Sequence, residues 1–80
     1  MKGKCLHYFD ENGFCHKQGQ IEGEVGPDVY LVRWFDWLNG DPLLGMNLVR
    51  IEADDPRWRI YDSLEDMKEA WELLPRHKRV

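Results

Sequence analysis

Two cysteines in 80 residues are too few for the disulfide framework on which small secreted domains rely. No apolar run approaches the roughly 20 residues that a membrane-spanning helix needs. Met1-Lys2-Gly3-Lys4 leads through only Cys5-Leu6 before His7, which leaves no apolar stretch for a signal peptide. The expectation is a soluble, cytoplasmic domain with no membrane partner. Positive charge is also scarce: 11 Lys and Arg stand against 15 Asp and Glu, for a formal net charge of −4. Three of those bases (Arg76, Lys78 and Arg79) fall in the last five residues, so residues 1–75 carry eight bases and fifteen acids, a balance of −7. An acidic body repels the phosphate backbone that dominates nucleic-acid affinity, so nucleic acid is not the expected partner. Catalytic signatures are missing too. The sequence contains no Ser/His/Asp set, glycine-rich phosphate loop, HExxH or DxD spacing, and its carboxylates fall at turns and solvent-facing positions. The expectation is a non-enzyme without cofactor or metal.

What is present is the composition of a globular chain. Hydrophobic residues make up 42% and charged residues 32%, which lies outside the disordered range. A chain of this length buries only about 60–65% of its unfolded surface, so its core is single and modest. Turn chemistry recurs every 8 to 12 positions through the first 60 residues, the spacing of short strands in an all-β domain. Residues 4–9 read as a strand that enters a hairpin turn at Asn12-Gly13, and residues 14–17 as its return. Alternation over residues 20–25 points Ile21 and Val25 inward, with Gly23 marking a bend or bulge. Gly26-Pro27-Asp28 is a tight turn. Residues 29–38 form the most apolar stretch, with Tyr30, Val32 and Trp34 on one face and Leu31, Phe35 and Trp37 on the other. One of those faces is the interior, and the other needs a cover. Residues 46–52 and 58–61 read as two further strands.

The period then changes. Leu64, Met67, Trp71 and Leu74 share one helical face with Ala70 beside them, and Asp62 or Ser63 supplies an N-cap. Pro75 ends this helix, predicted over residues 63–74, and Leu64, Met67 and Trp71 are expected to be buried against the sheet as its cover. The last residues, 76–80, read as a basic tail. Either it is a frayed helix end whose cations complement the macrodipole, or it touches nucleic acid or an acidic partner.

This order of strands and one helix resembles a small, five-stranded, partly open SH3-like barrel of the Tudor or chromo-barrel kind, mainly β with one C-terminal α-helix. Gln18-Gly19-Gln20, the run from Tyr30-Leu31-Val32-Arg33-Trp34-Phe35-Asp36-Trp37-Leu38 to Gly40-Asp41-Pro42, Leu48-Val49, and Trp58 with Tyr61-Asp62-Ser63 carry a second likeness. They are similar to a run found in small, uncharacterised bacteriophage and prophage proteins. The resemblance covers about residues 4–72. It implies the fold, an origin in a mobile element and a bacterial host, and it implies no catalytic residue.

Cys5, His7, Cys15 and His16 are the one cluster of soft metal ligands. Pairing Phe9 with Phe14 sets His7 opposite His16 and puts the two cysteines on opposite faces. A bulge that shifts the register sets Cys15 opposite Phe9, roughly 13 Å along the strand from Cys5. Neither register meets the ~7 Å limit between the Cα atoms of a disulfide or gathers four zinc ligands, so two ordinary thiols are expected. Aromatic residues exceed what so small an interior holds, and they point to the surface. Surface rings packed beneath the helix are one account. A protein-binding patch is another, and the Tudor-like resemblance implies a third, a methyl-ligand cage from Tyr8, Trp37 and Asp36. Arg33, Arg50, Arg57 and Arg59 would cluster if their strands are neighbours, with Asp36 and Glu52 near enough to pair with Arg33 and Arg50. The loop over residues 37–44 carries Trp37, Leu38, Leu43 and Leu44 where a hairpin connection should be polar. With Tyr8 and Trp58 they make the expected partner-binding set. The function expected is a protein-interaction module that binds a host or phage protein, with a homodimer as one form. Alternatives are an inhibitor of a host defence complex, of the anti-CRISPR type, and a small nucleic-acid-binding barrel.

Overall fold

The structure, a computed structural model, describes residues 1–35 and 42–79, with residues 42–45 as backbone only. Five strands run in the order β1 (Cys5–Phe9), β2 (Cys15–Gly26), β3 (Val29–Phe35), β4 (Pro42–Arg50) and β5 (Trp58–Tyr61), followed by helix α1 (Leu64–Leu73). They form one antiparallel sheet in the spatial order β4-β3-β2-β1-β5. The sheet is open: among the described residues no ladder joins β4 to β5, so the expected barrel is seen only as a curved sheet. Among those residues, no helix is long and apolar enough to cross a membrane.

The β1–β2 turn is built differently from the hairpin expected at Asn12-Gly13. Only Gly13 takes a positive φ, 82°, and the carboxylate of Asp10 accepts from the backbone N–H groups of Asn12 and Phe14 at 2.9 Å each. A bulge at Tyr8/Phe9 then sets Phe9 opposite Cys15 and His7 opposite Gln18. This is the shifted register, and both thiols are buried and free. The return strand continues without a break into residues 20–26. Its register slips between Ile21 and Gly23 and again between Glu24 and Gly26. The first slip turns the side chains after it over, so Val25, expected inside, is 57% exposed while Ile21 is buried.

Leu6, Ile21, Tyr30, Val32, Trp34 and Ile51 make the larger core on the concave face, and Val49, Trp58 and Ile60 pack against it. These residues come from all five strands and the segment just after β4, so side chains bring the two ends of the sheet together. The opposite face holds Cys5, Phe35 and Met67, with Tyr61 packed beside them. Helix α1 is the cover that this face needed. Ser63 caps it by accepting from the Asp66 N–H at 3.1 Å, and the Leu74 N–H closes the last turn on the Trp71 carbonyl. Its packing is narrower than the apolar stripe implied. Met67 is buried, but Leu64 is 37% exposed and Trp71 only half-buried. The helix lies over β1 and β5, and only its middle turn enters the sheet.

The chain does not fray after Pro75. Arg76–Lys78 form a short 3-10 turn, and Arg79 makes a parallel bridge to Cys15. Lys78 donates to the Asn12 carbonyl and lies over the Phe14 ring, while the Arg79 guanidinium lies 5.0 Å from the centre of the Trp71 ring. These cations close the structure against the β1–β2 hairpin.

Candidate functional site

Alternation along β1 sends Leu6 and Tyr8 to the concave face, and the ladders set Tyr8 opposite both Lys17 and Trp58. Trp34 arrives on the same face from β3 because Gly19, its cross-strand partner, has no side chain. A Cβ at Gly19 would stand 2.6 Å from the Arg33 carbonyl oxygen and 3.0 Å from the Trp34 ring. The result is an aromatic wall at one end of the concave face. The Tyr8 and Trp58 ring centres lie 4.7 Å apart, and Trp58 and Trp34 are nearly parallel at 6.4 Å. These rings, with Val49 at the margin, open onto a pocket of about 300 Å³ that Lys17, Arg50 and Arg57 also line.

Charge in this pocket is of one sign. The Lys17 ammonium lies 5.2 Å from the centre of the Trp34 ring, and the Arg57 guanidinium 6.0 Å from that of Tyr8. Asp55 holds Arg57 from behind with paired hydrogen bonds, the shortest 2.8 Å, and the guanidinium in turn keeps the Asp55 carboxyl below the usual range. None of the residues that line the pocket is a carboxylate. Trp37 and Asp36, expected to join Tyr8 in a methyl-ligand cage, lie outside the described residues. The cations already on the rings are what such a cage must lack, because they repel a cationic ligand. The four arginines do not form one cluster. Arg33 pairs with Glu22 at 3.0 Å, and Arg59 lies over Phe9; Asp36, the expected partner of Arg33, lies outside the described residues.

A second surface follows β4. Residues 43 and 44, expected in a loop, belong to this strand, which begins at Pro42. Trp37 and Leu38 lie outside the described residues. No charged residue occurs from 42 to 49, and Met46 and Leu48 are 43% and 66% exposed. Leu48 sits opposite Leu31 on the side of the sheet that carries α1, away from β1 and β5 over which the helix lies. One hydrogen-bonding edge of β4 faces β3, and the other is the border of the sheet.

The reactive side-chain types are placed elsewhere, beneath α1. His7 is fully buried, with Nδ1 2.9 Å from the Tyr61 hydroxyl. Burial lowers its pKa to about 4, with the Arg59 charge in the same sense and a hydrogen bond to Gln18 opposing them. Burial likewise pushes the Cys15 thiol up to about 12 and raises that of Cys5. A neutral imidazole and two protonated thiols sealed from solvent have no access to a substrate. His16 instead pairs with Asp10 at 2.7 Å on the hairpin. Among the described residues no three His, Cys, Asp or Glu side chains converge to hold a metal.

Set against protein-family models, curated proteins and solved structures, the chain matches none of them. Its own surfaces carry the functional reading. Tyr8 and Trp58 were legible as candidates because aromatic residues were in surplus. Arg50 was legible as one of four arginines that neighbouring strands could gather, and Trp34 as a ring on the face of Tyr30 and Val32, whereas Lys17 was not singled out.

Proposed function

We propose that the chain is a non-enzymatic protein-interaction module of phage or prophage origin, built on a partly open SH3-like barrel of the Tudor kind. The origin rests on the resemblance of the sequence run alone. The barrel reading is supported by the concave core, in which Trp34 of β3 lies 6.4 Å from Trp58 of β5 across the trough. The observation that carries the interaction is the border strand β4. Nine residues long, it starts with Pro42 and an irregular register opposite Trp34, but from Met46 to Val49 it is regularly paired, uncharged and shows Met46 and Leu48 to solvent, without the charges that normally blunt a sheet edge. Such an edge binds an extended segment of another protein as an added strand, with backbone hydrogen bonds for affinity and alternate side chains for selectivity. A second copy of the chain is one such segment. The sealed positions of His7, Cys5 and Cys15 support the non-enzymatic part.

The test is the double change Met46→Ser with Leu48→Ser. Both side chains are exposed, so the thermal midpoint should stay within a few degrees of wild type. Sedimentation over a concentration series, and capture from bacterial lysate with both proteins side by side, should show at least a tenfold loss of dimer or partner. Equal self-association and equal capture by the two proteins would overturn the reading.

A further inference from the structure

The concave pocket has a chemistry that strand addition at β4 does not use. We propose that it binds a nucleotide, with the base against the Trp58–Tyr8 wall and the phosphate among Lys17, Arg50 and Arg57. Three observations combine. The indole of Trp58 offers a flat apolar face, with Tyr8 tilted against it by 55°, and base stacking on such side chains tolerates any base. The three cations stand at the rim of the same pocket with no carboxylate among its lining residues. Among the described residues neither Lys17 nor Arg50 has an ion-pair partner, while Asp55 fixes the fork of Arg57. The volume of about 300 Å³ is at the lower end for a small-molecule site and suits one base with its sugar phosphate.

The rest of the molecule sets the length of the ligand. A formal net charge of −4 opposes a long polyanion, and only three cations meet at the pocket. The occupant is therefore one or two nucleotides, either free or at the end of a single strand. Because few phosphates are engaged, affinity should fall only gently with salt, by a slope of about −0.7 for each phosphate in a single strand.

The experiment is a titration of the full chain followed by proton–nitrogen NMR, reading the indole N–H signals of Trp34 and Trp58. The probes are adenosine monophosphate, adenosine and a single-stranded adenine hexanucleotide at 50 mM salt. Adenosine monophosphate should shift both signals saturably, and adenosine should bind at least tenfold more weakly. The double variant Lys17→Gln with Arg50→Gln alters two exposed side chains. It should melt with wild type and lose at least tenfold in affinity for the monophosphate. A hexanucleotide that binds tenfold tighter than the monophosphate makes a strand end the source, and equal affinities make it the free nucleotide. The proposal is overturned if the indole signals stay still at millimolar monophosphate, or if adenosine binds as well. It is also overturned if the double variant binds like wild type, or if a hexaglutamate peptide displaces the monophosphate at equal concentration.

Discussion

His7 shows how one residue couples burial to solution behaviour. Its imidazole is enclosed by Phe9, Tyr61 and Trp71, and its pKa of about 4 keeps it neutral in the folded chain between about pH 4 and pH 6.5, where the unfolded imidazole already holds a proton. Between those values the unfolded state binds more protons, so stability rises with pH. The contribution is complete above about pH 6.5 and is lost as the pH falls toward 4. In total it is about 3 kcal/mol, of which about 2 kcal/mol disappears between pH 7 and pH 5. Urea unfolding at pH 7 and pH 5 should show that loss, and His7→Gln should flatten it. A wild-type midpoint that does not move over this range would mean that the ring opens to water. The imidazole was visible in the sequence as a metal-ligand candidate. Its burial was not, because a side chain on a two-sided strand is buried only if something covers its face.

At the level of the element, the helix was legible in its period and its cap, and Ser63 holds the Asp66 N–H as the capping pattern required. Depth of insertion was not legible. A stripe of apolar residues shows which side of a helix faces inward, but the crossing over β1 and β5 decides which turn makes contact. Met67 takes the central place against Cys5 and Phe35, while Trp71 lies nearer the margin between His7 and Arg79. Met67→Ala should therefore cost about 3 kcal/mol, within the usual range for a buried methionine. Trp71→Ala should cost about 2 kcal/mol, below the 3–5 of a wholly buried ring. Thermal or urea unfolding of the two variants gives the order, and a Trp71→Ala loss well above that of Met67→Ala would contradict this packing. The strands carry the same lesson. Period-2 alternation placed Tyr30, Val32 and Trp34 on the inner face, yet the slip between Ile21 and Gly23 turned Val25 outward, because a bulge is a property of the paired ladder.

For the whole molecule, the chain end and the sheet borders matter most. Lys78 and Arg79 hold the hairpin and the helix together, so removing residues 76–80 should lower stability by about 1–2 kcal/mol through the lost cation–ring contacts and the Lys78 hydrogen bond. Calorimetry of the truncated chain tests this, and an unchanged midpoint would show that the tail contributes nothing. By itself, the sequence determined the mainly β class, the short strand 58–61 and the capped helix. These follow from local periodicity, turn chemistry and composition, which act over a few neighbouring residues. Only the tertiary structure decided that Tyr8, Lys17, Trp34, Arg50, Arg57 and Trp58 share one pocket, and that residues 43 and 44 belong to a border strand. Those residues are far apart along the chain and meet through ladder register and sheet curvature. Register depends on bulges and on which strands become neighbours, and no local pattern encodes either.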